Sequence, residues 1–259
     1  MTSASVGFQC PECVAEGRAS VRPVVTRLGV RAITRPYVTL GLIAINVVVF
    51  GLTMTAGKDA DTGYDVITLH YGLNPFSVAV GNEYYRLLTA MFLHAGFLHI
   101  AFNMLALWVV GPQLEALLGH VRFSVLYLVA GLGGSVASFW FSSPNILGVG
   151  ASGAIYGLFG ALFVVARRLK FDIRPIAGVI VINVVIGFVA PGLDWRAHLG
   201  GLATGAIVAA LFAYLPVAPW RAAVQTLGVL VIVGLLVVAV VVRDQAITDL
   251  AQQIIDGTA

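Results

Sequence analysis

Residues 150–160 read Gly150-Ala151-Ser152-Gly153-Ala154-Ile155-Tyr156-Gly157-Leu158-Phe159-Gly160. Ser152, Gly153, Tyr156, Gly157 and Gly160 recur at helical spacings, so much of one helix surface carries little bulk. In an apolar chain such a surface is where a neighbouring membrane helix comes close. The hydroxyl within it has two readings. It is a small packing residue, or it is a nucleophile left unshielded by the glycines on either side. A helix beginning at Ala151 sets Ser152 in its first turn, where free N–H groups and the helix dipole favour a developing negative charge.

Working outward, apolar residues make up 59% of the 259-residue chain and charged residues 10%. That mixture excludes an ordinary soluble domain. Seven apolar spans are expected: Tyr37 to Met54, Thr89 to Val110, Arg122 to Phe141, Ala151 to Ala166, Arg174 to Ala190, Trp195 to Tyr214 and Thr226 to Val242. Several are shorter than a full crossing or carry polar groups, which suits helices packed around a wet site. The fold class is therefore an all-α membrane bundle. Of the fifteen Lys and Arg, all but Lys58, Arg86, Arg196 and Arg243 fall on one side if the N-terminus is cytoplasmic. The positive-inside bias then gives a multi-pass protein of the cell membrane, N-terminus inside and C-terminus outside. This bias accounts for the net charge of +3, and no nucleic-acid partner is inferred from it. The first apolar run begins near Tyr37, too far along for the core of a cleaved signal.

Three units follow. Residues 1–34 form a cytoplasmic arm, 35–217 a six-helix core, and 218–259 a seventh helix with an external tail. The arm holds both cysteines, as Cys10-Pro11-Glu12-Cys13. That knuckle is half of a tetrahedral zinc site, and no further Cys or His lies in the arm to complete it. A truncated zinc ribbon is favoured over pairing between two chains or no metal at all. The connection 55–88 is the longest, polar at first and apolar around Leu73 to Val80, where it is expected to dip into the membrane interface. The last span, nearly all Val, Leu, Ile and Gly, reads as a lipid-facing addition without chemistry.

His198 changes the balance for Ser152. Histidine within a span is rare and ordinarily faces a cavity. Here it leads His198-x-x-Gly201-x-x-x-Gly205, an imidazole above two glycines on one helix face. Glycines on both helices let a serine and its base meet within hydrogen-bond reach. The second span contributes His94, His99 and Asn103. His99 and Asn103 share a face and can donate to an oxyanion. A structural network ranks next, and a metal site last. His94 and His99 are five apart and point in different directions on a continuous helix, and no His-Glu-x-x-His occurs. Asp194, four residues before His198, is read as a helix cap or ion-pair partner rather than a triad member. Glu115, in the Gly111-Pro112-Gln113-Leu114-Glu115 turn, is read as structural. The fifth span, with Asn183 and an end at Pro191, is a candidate gate.

The residues His99-x-x-x-Asn103, Gly150-Ala151-Ser152-Gly153 and Ala197-His198-x-x-Gly201-x-x-x-Gly205 occur in the order and spacing of the rhomboids, a family of intramembrane serine proteases that the chain resembles over about residues 37–215. The resemblance implies a bacterial six-plus-one form whose short fourth helix starts at the serine. It implies Ser152 as nucleophile and His198 as base, a dyad without a carboxylate. His99, Asn103 and the Ser152 N–H would hold the oxyanion beside Gly150, and Tyr156 would pack on the His198 ring. Arg86 and Glu115 match family positions of structural role, whereas Tyr85 stands where the family usually has tryptophan. The arm with Cys10 and Cys13 looks like the end of a cytoplasmic zinc-binding extension.

The expected reaction is endoproteolysis of single-pass transmembrane substrates within the lipid bilayer, without a cofactor. The alternatives are an inactive relative that binds transmembrane clients and, from another class, a small-solute transporter. The first lacks support because serine, histidine and both donors are present. The second lacks internal repeats and a full-length polar path.

Overall fold

The structure is a computed structural model that describes residues 2–3, 7–20, 24–189 and 193–256. Arg22 of the arm and Pro191 at the end of the fifth span lie outside the described residues. Two strands of two residues, β1 (Thr2–Ser3) and β2 (Phe8–Gln9), pair antiparallel ahead of helix α1 (Pro11–Ser20). The bundle begins with α2 (Tyr37–Thr55). Short helices α3 (Val66–Tyr71), α4 (Pro75–Ala79) and α5 (Arg86–Thr89) fold the long connection, and a 3-10 turn spans Ala90–Phe92. The remaining helices are α6 (Phe97–Leu118), α7 (His120–Phe141), α8 (Ser152–Arg168), α9 (Arg174–Val189), α10 (Trp195–Tyr214) and α11 (Arg221–Ile255). Five of them, α2, α6, α7, α10 and α11, are long and apolar enough to cross a membrane. With 17 and 16 residues, α8 and α9 are shorter.

The bundle is organised around α8, whose residues Gly153 to Ala161 are all buried. It packs against α7 and α10 through backbone rather than side chains. A Cβ at Gly201 would stand 1.9 Å from the Gly153 carbonyl oxygen, and one at Gly205 2.2 Å from that of Gly157. The third wall is α7, where a Cβ at Gly134 would lie 2.8 Å from the Ala197 carbonyl oxygen. Sequence reading found the glycines of α8 and α10 but not those of α7, because Gly131, Gly133 and Gly134 sit in a run without a polar landmark.

Four expectations need correction. The second span does not run unbroken from Thr89 to Val110. The chain breaks at Leu93 to Gly96, and Gly96 takes an extended conformation before α6 begins. At its other end α6 passes through Gly111 and Pro112 to Leu118, so Glu115 lies in its last turns rather than in a loop. The reason is packing on α2. Gly111 admits Thr39, whose Cγ2 would be 2.7 Å from a Cβ there. One turn on, the fully buried Glu115 takes the free amides of Val38 at 2.9 Å and Thr39 at 2.8 Å, the Thr39 hydroxyl at 2.6 Å, and a contact from His120 Nδ1 at 2.6 Å. This carboxylate caps α2, which has no cap of its own. Glu115→Ala is expected to lower stability by about 3 kcal/mol, since it leaves several buried donors unpartnered; thermal unfolding in detergent measures it.

The third correction concerns the apolar part of the long connection. Leu73, Val78 and Ala79 are covered by protein, in a cluster with Val136 and Phe139 of α7 and Val240 and Ile247 of α11. The fourth concerns the C-terminal unit: α11 continues as helix to Ile255, past the expected end at Val242 and through most of the expected tail. Its far half is a strut as well as an exposed apolar surface. The Trp140 Nε1–H donates to the Ala239 carbonyl at 2.8 Å, and Val240 and Ile247 back the α4 segment.

Candidate active site

Ser152 is the first residue of α8, with Ala151 at the cap position and no side chain capping the helix. Its own amide and those that follow are therefore among the free donors of a helix start. The approach to it needs a glycine, because Gly150 has φ +133°. A Cβ on Gly150 would also lie 2.8 Å from His99 Cε1 and 3.5 Å from Ser152 Oγ. Glycine there lets ring and hydroxyl share one small space. The segment before it is tied down by backbone: Leu73 and Gly148 exchange two hydrogen bonds, at 2.9 and 2.8 Å, and the Gly150 N–H donates to the Ala90 carbonyl at 2.9 Å.

Opposite Ser152, α10 delivers His198 one turn after its start. Its Nε2 lies 2.9 Å from Ser152 Oγ. The ring stacks on Tyr156 with centroids 4.0 Å apart and planes 9° from parallel. Tyr156 is held in turn by donating its hydroxyl to the Asn183 carbonyl of α9 at 2.7 Å. With Nε2 accepting from the serine, the ring proton belongs on Nδ1, which is buried and has no partner among the described residues. Asp194 does not serve it. That carboxylate accepts from the Arg196 and Ala197 amides at 3.1 and 3.2 Å, capping α10, and from the Ser138 hydroxyl. The capping role expected of Asp194 is the one observed.

On the third side, the helix break at Gly96 brings His94 and His99 together. Their rings meet edge-to-face with centroids 5.2 Å apart, contrary to the divergence expected of an unbroken helix. Among the described residues no group of three His, Cys, Asp or Glu could hold a metal ion. The Ala95 N–H donates to His99 Nδ1 at 3.4 Å. That bond assigns the proton to Nε2, which therefore faces the site as a donor. Asn103 sits one turn below and donates its amide to the His99 carbonyl at 2.8 Å. His99, His94, Gly150, Ser152 and His198 all border one cavity of about 930 Å3; Asn103 does not. Ser135, Ser138, Ser142 and Arg196 line it too, and it extends to Thr53, Tyr64 and Asp65 beneath the long connection. This hydroxyl-lined extension was missed because serines scattered along α7 carry no motif. A hydroxyl, a base and N–H donors around one cavity are the parts that acyl transfer requires.

Arg86 organises the connection above the cavity, donating Nη1 to the Leu69 and Gly72 carbonyls at 2.6 and 2.8 Å and pairing with Glu83. Tyr85 anchors the same region through its hydroxyl, 3.2 Å from the His70 carbonyl. At the far terminus Cys10 and Cys13 hold their sulfurs 2.6 Å apart at the start of α1, as free thiols. Two thiols leave a zinc ion two ligands short, so the residues present do not fit a closed site. The Cys10 thiol titrates below its ordinary range because of its bond with Cys13.

A family model described as the Rhomboid domain matches residues 81–215. The chain is 40% identical over 182 residues to Rhomboid protease GluP of Bacillus subtilis, which covers 68% of this chain and 35% of GluP. It is 34% identical over 159 residues to Putative rhomboid protease YdcA of the same organism, 60% of this chain and 74% of YdcA. To Rhomboid protease AarA of Providencia stuartii it is 27% identical over 207 residues, 69% of this chain and 73% of AarA. The chain thus spans only 35% of the GluP length.

Proposed function

The chain belongs to the rhomboid family, and on that premise we propose that it is an intramembrane serine endopeptidase cleaving single-pass transmembrane proteins. The observation that carries this reading is the 2.9 Å separation of Ser152 Oγ from His198 Nε2 inside a polar-lined cavity. The Ser152 oxygen attacks a substrate carbonyl while His198 Nε2 takes its proton. The tetrahedral oxyanion is held by the Ser152 N–H and by the Nε2–H of His99. We assign Asn103 as the third donor from its place one turn below His99: its amide spends one N–H on the His99 carbonyl and keeps another, which must turn toward the cavity to reach the oxyanion. His198 then passes the proton to the leaving amine, and water, activated by the same ring, releases the acyl group. Tyr156 fixes the plane of the imidazole by stacking, a task that a carboxylate performs in a triad. No cofactor enters these steps.

The backbone of a transmembrane helix is occluded by its own hydrogen bonds, so the substrate must unwind near the scissile bond. Gly, Pro or β-branched residues there favour cleavage. The gate we propose is α9: Val181, Ile182 and Val185 are exposed on it, and a Cβ at its Gly187 would be 3.2 Å from His198 Nδ1. The arginine bias along the sequence supports an orientation with the N-terminus inside and the site toward the outer face.

Reconstitution with a fluorescently labelled transmembrane substrate tests the reading: cleavage by the native chain and none by Ser152→Ala is expected. Binding without cleavage would instead make it a client-binding relative. A further result separates a dyad from a triad. Asp194→Ala is expected to cost about 1 kcal/mol of stability through loss of the α10 cap, with cleavage falling by less than roughly tenfold. Removal of a triad carboxylate costs on the order of 10⁴-fold.

A further inference from the structure

A second cavity, of about 800 Å3, opens at the end of the bundle away from Ser152. The helix α7 separates the two: His120, Val121, Arg122 and Val125 border this one, while Ser135 and Ser138 border the other. Its walls are of two kinds. Val125, Phe212, Val229 and Leu230 form an apolar fissure between α7, α10 and the first turns of α11. Arg31, Arg35 and Arg122 stand around it, beside His120 and Tyr37.

These three arginines have no ion-pair or ring partner among the described residues, whereas neighbouring cations are engaged. Arg27 lies over the Phe171 ring at 5.9 Å and Arg168 over Tyr214 at 5.7 Å. The buried Arg221 donates to the Leu28 and Phe212 carbonyls, both at 2.6 Å. Arg122 gives its Nε–H to Gln225, at 2.9 Å, and makes no ion pair among the described residues. Neither the Arg31 nor the Arg35 guanidinium has a hydrogen-bond or ion-pair partner among the described residues. No carboxylate is among the lining residues described. Glu115 is committed to α2 and His120, as set out above.

Uncompensated positive charge at the mouth of an apolar fissure between membrane helices matches a ligand with an anionic head and hydrocarbon tails. We propose that this cavity is a binding site for an anionic phospholipid, its phosphate held by Arg31, Arg35 and Arg122 and its acyl chains lying along Val125, Val229 and Leu230. The volume falls within the ~300–1,000 Å3 of ordinary ligand pockets. The proposal needs the chain to lie in a membrane and is independent of the protease reading.

The test is lipid binding by the purified full chain in neutral detergent, with phosphatidylglycerol and phosphatidylcholine titrated separately. Thermal unfolding and native mass spectrometry serve as readouts. Phosphatidylglycerol is expected to raise the Tm and to be retained in preference. Arg31→Gln, Arg35→Gln and Arg122→Gln are each expected to weaken its binding roughly fivefold. Arg243→Gln, a cation outside the cavity, is expected to leave it unchanged. If one of these cavity variants does not fold, the other two decide. Equal stabilisation by phosphatidylcholine, undiminished preference in the variants, or an equal Tm shift from inorganic phosphate alone would overturn the proposal.

Discussion

Ser152→Ala and His198→Ala are each expected to lower kcat/KM for a transmembrane substrate by at least ~10³-fold, and the double variant by no more than the worse single one. A hydroxyl without its base, or a base without its hydroxyl, retains only what the oxyanion donors and substrate binding supply. The 2.9 Å contact makes the two side chains one unit, so their losses should not add. Single-turnover cleavage in proteoliposomes measures this, with Tm as the control for folding. Additive losses would mean that the two residues act in separate steps, and the dyad would fail.

The second large effect lies in the backbone contact beneath the dyad. Gly201→Val is expected to lose cleavage altogether and about 3 kcal/mol or more of stability. The new Cβ would stand 1.9 Å from the Gly153 carbonyl oxygen and 2.7 Å from its carbon. Both are backbone atoms, next to the serine itself, and cannot rotate away. The helices α8 and α10 must part, and with them Ser152 and His198. Gly234→Ala in α11 meets nothing within 4 Å and is expected to change stability by less than ~0.5 kcal/mol. Thermal unfolding of both variants, with cleavage alongside, separates close approach from mere loss of a flexible residue.

How much of this was legible beforehand depends on the kind of signal. Each of the seven apolar spans holds a helix, the second only beyond the break at Leu93 to Gly96, because long apolar runs are a strong pattern. Ser152, His198 and His99 come together as their spacing and resemblance implied, since a polar group in an apolar helix has few places to go. Helix ends were less legible. Gly111-Pro112 resembles a stop, yet α6 runs on, because Glu115 is needed as the cap of a helix 76 residues away in sequence. Gly96 is one glycine among 29, and nothing local marks it as the break that turns His94 toward His99. The strut formed by α11 on α4 likewise depends on contacts between the ends of the chain, which periodicity does not encode.

The most direct measurement is covalent labelling of the detergent-solubilised chain with a serine-directed fluorophosphonate, followed by intact mass and peptide mapping. A single adduct on Ser152, abolished in Ser152→Ala and strongly slowed in His198→Ala, is the expected result. Labelling that persists in Ser152→Ala, or proceeds at the native rate without His198, would contradict an activated serine at the start of α8.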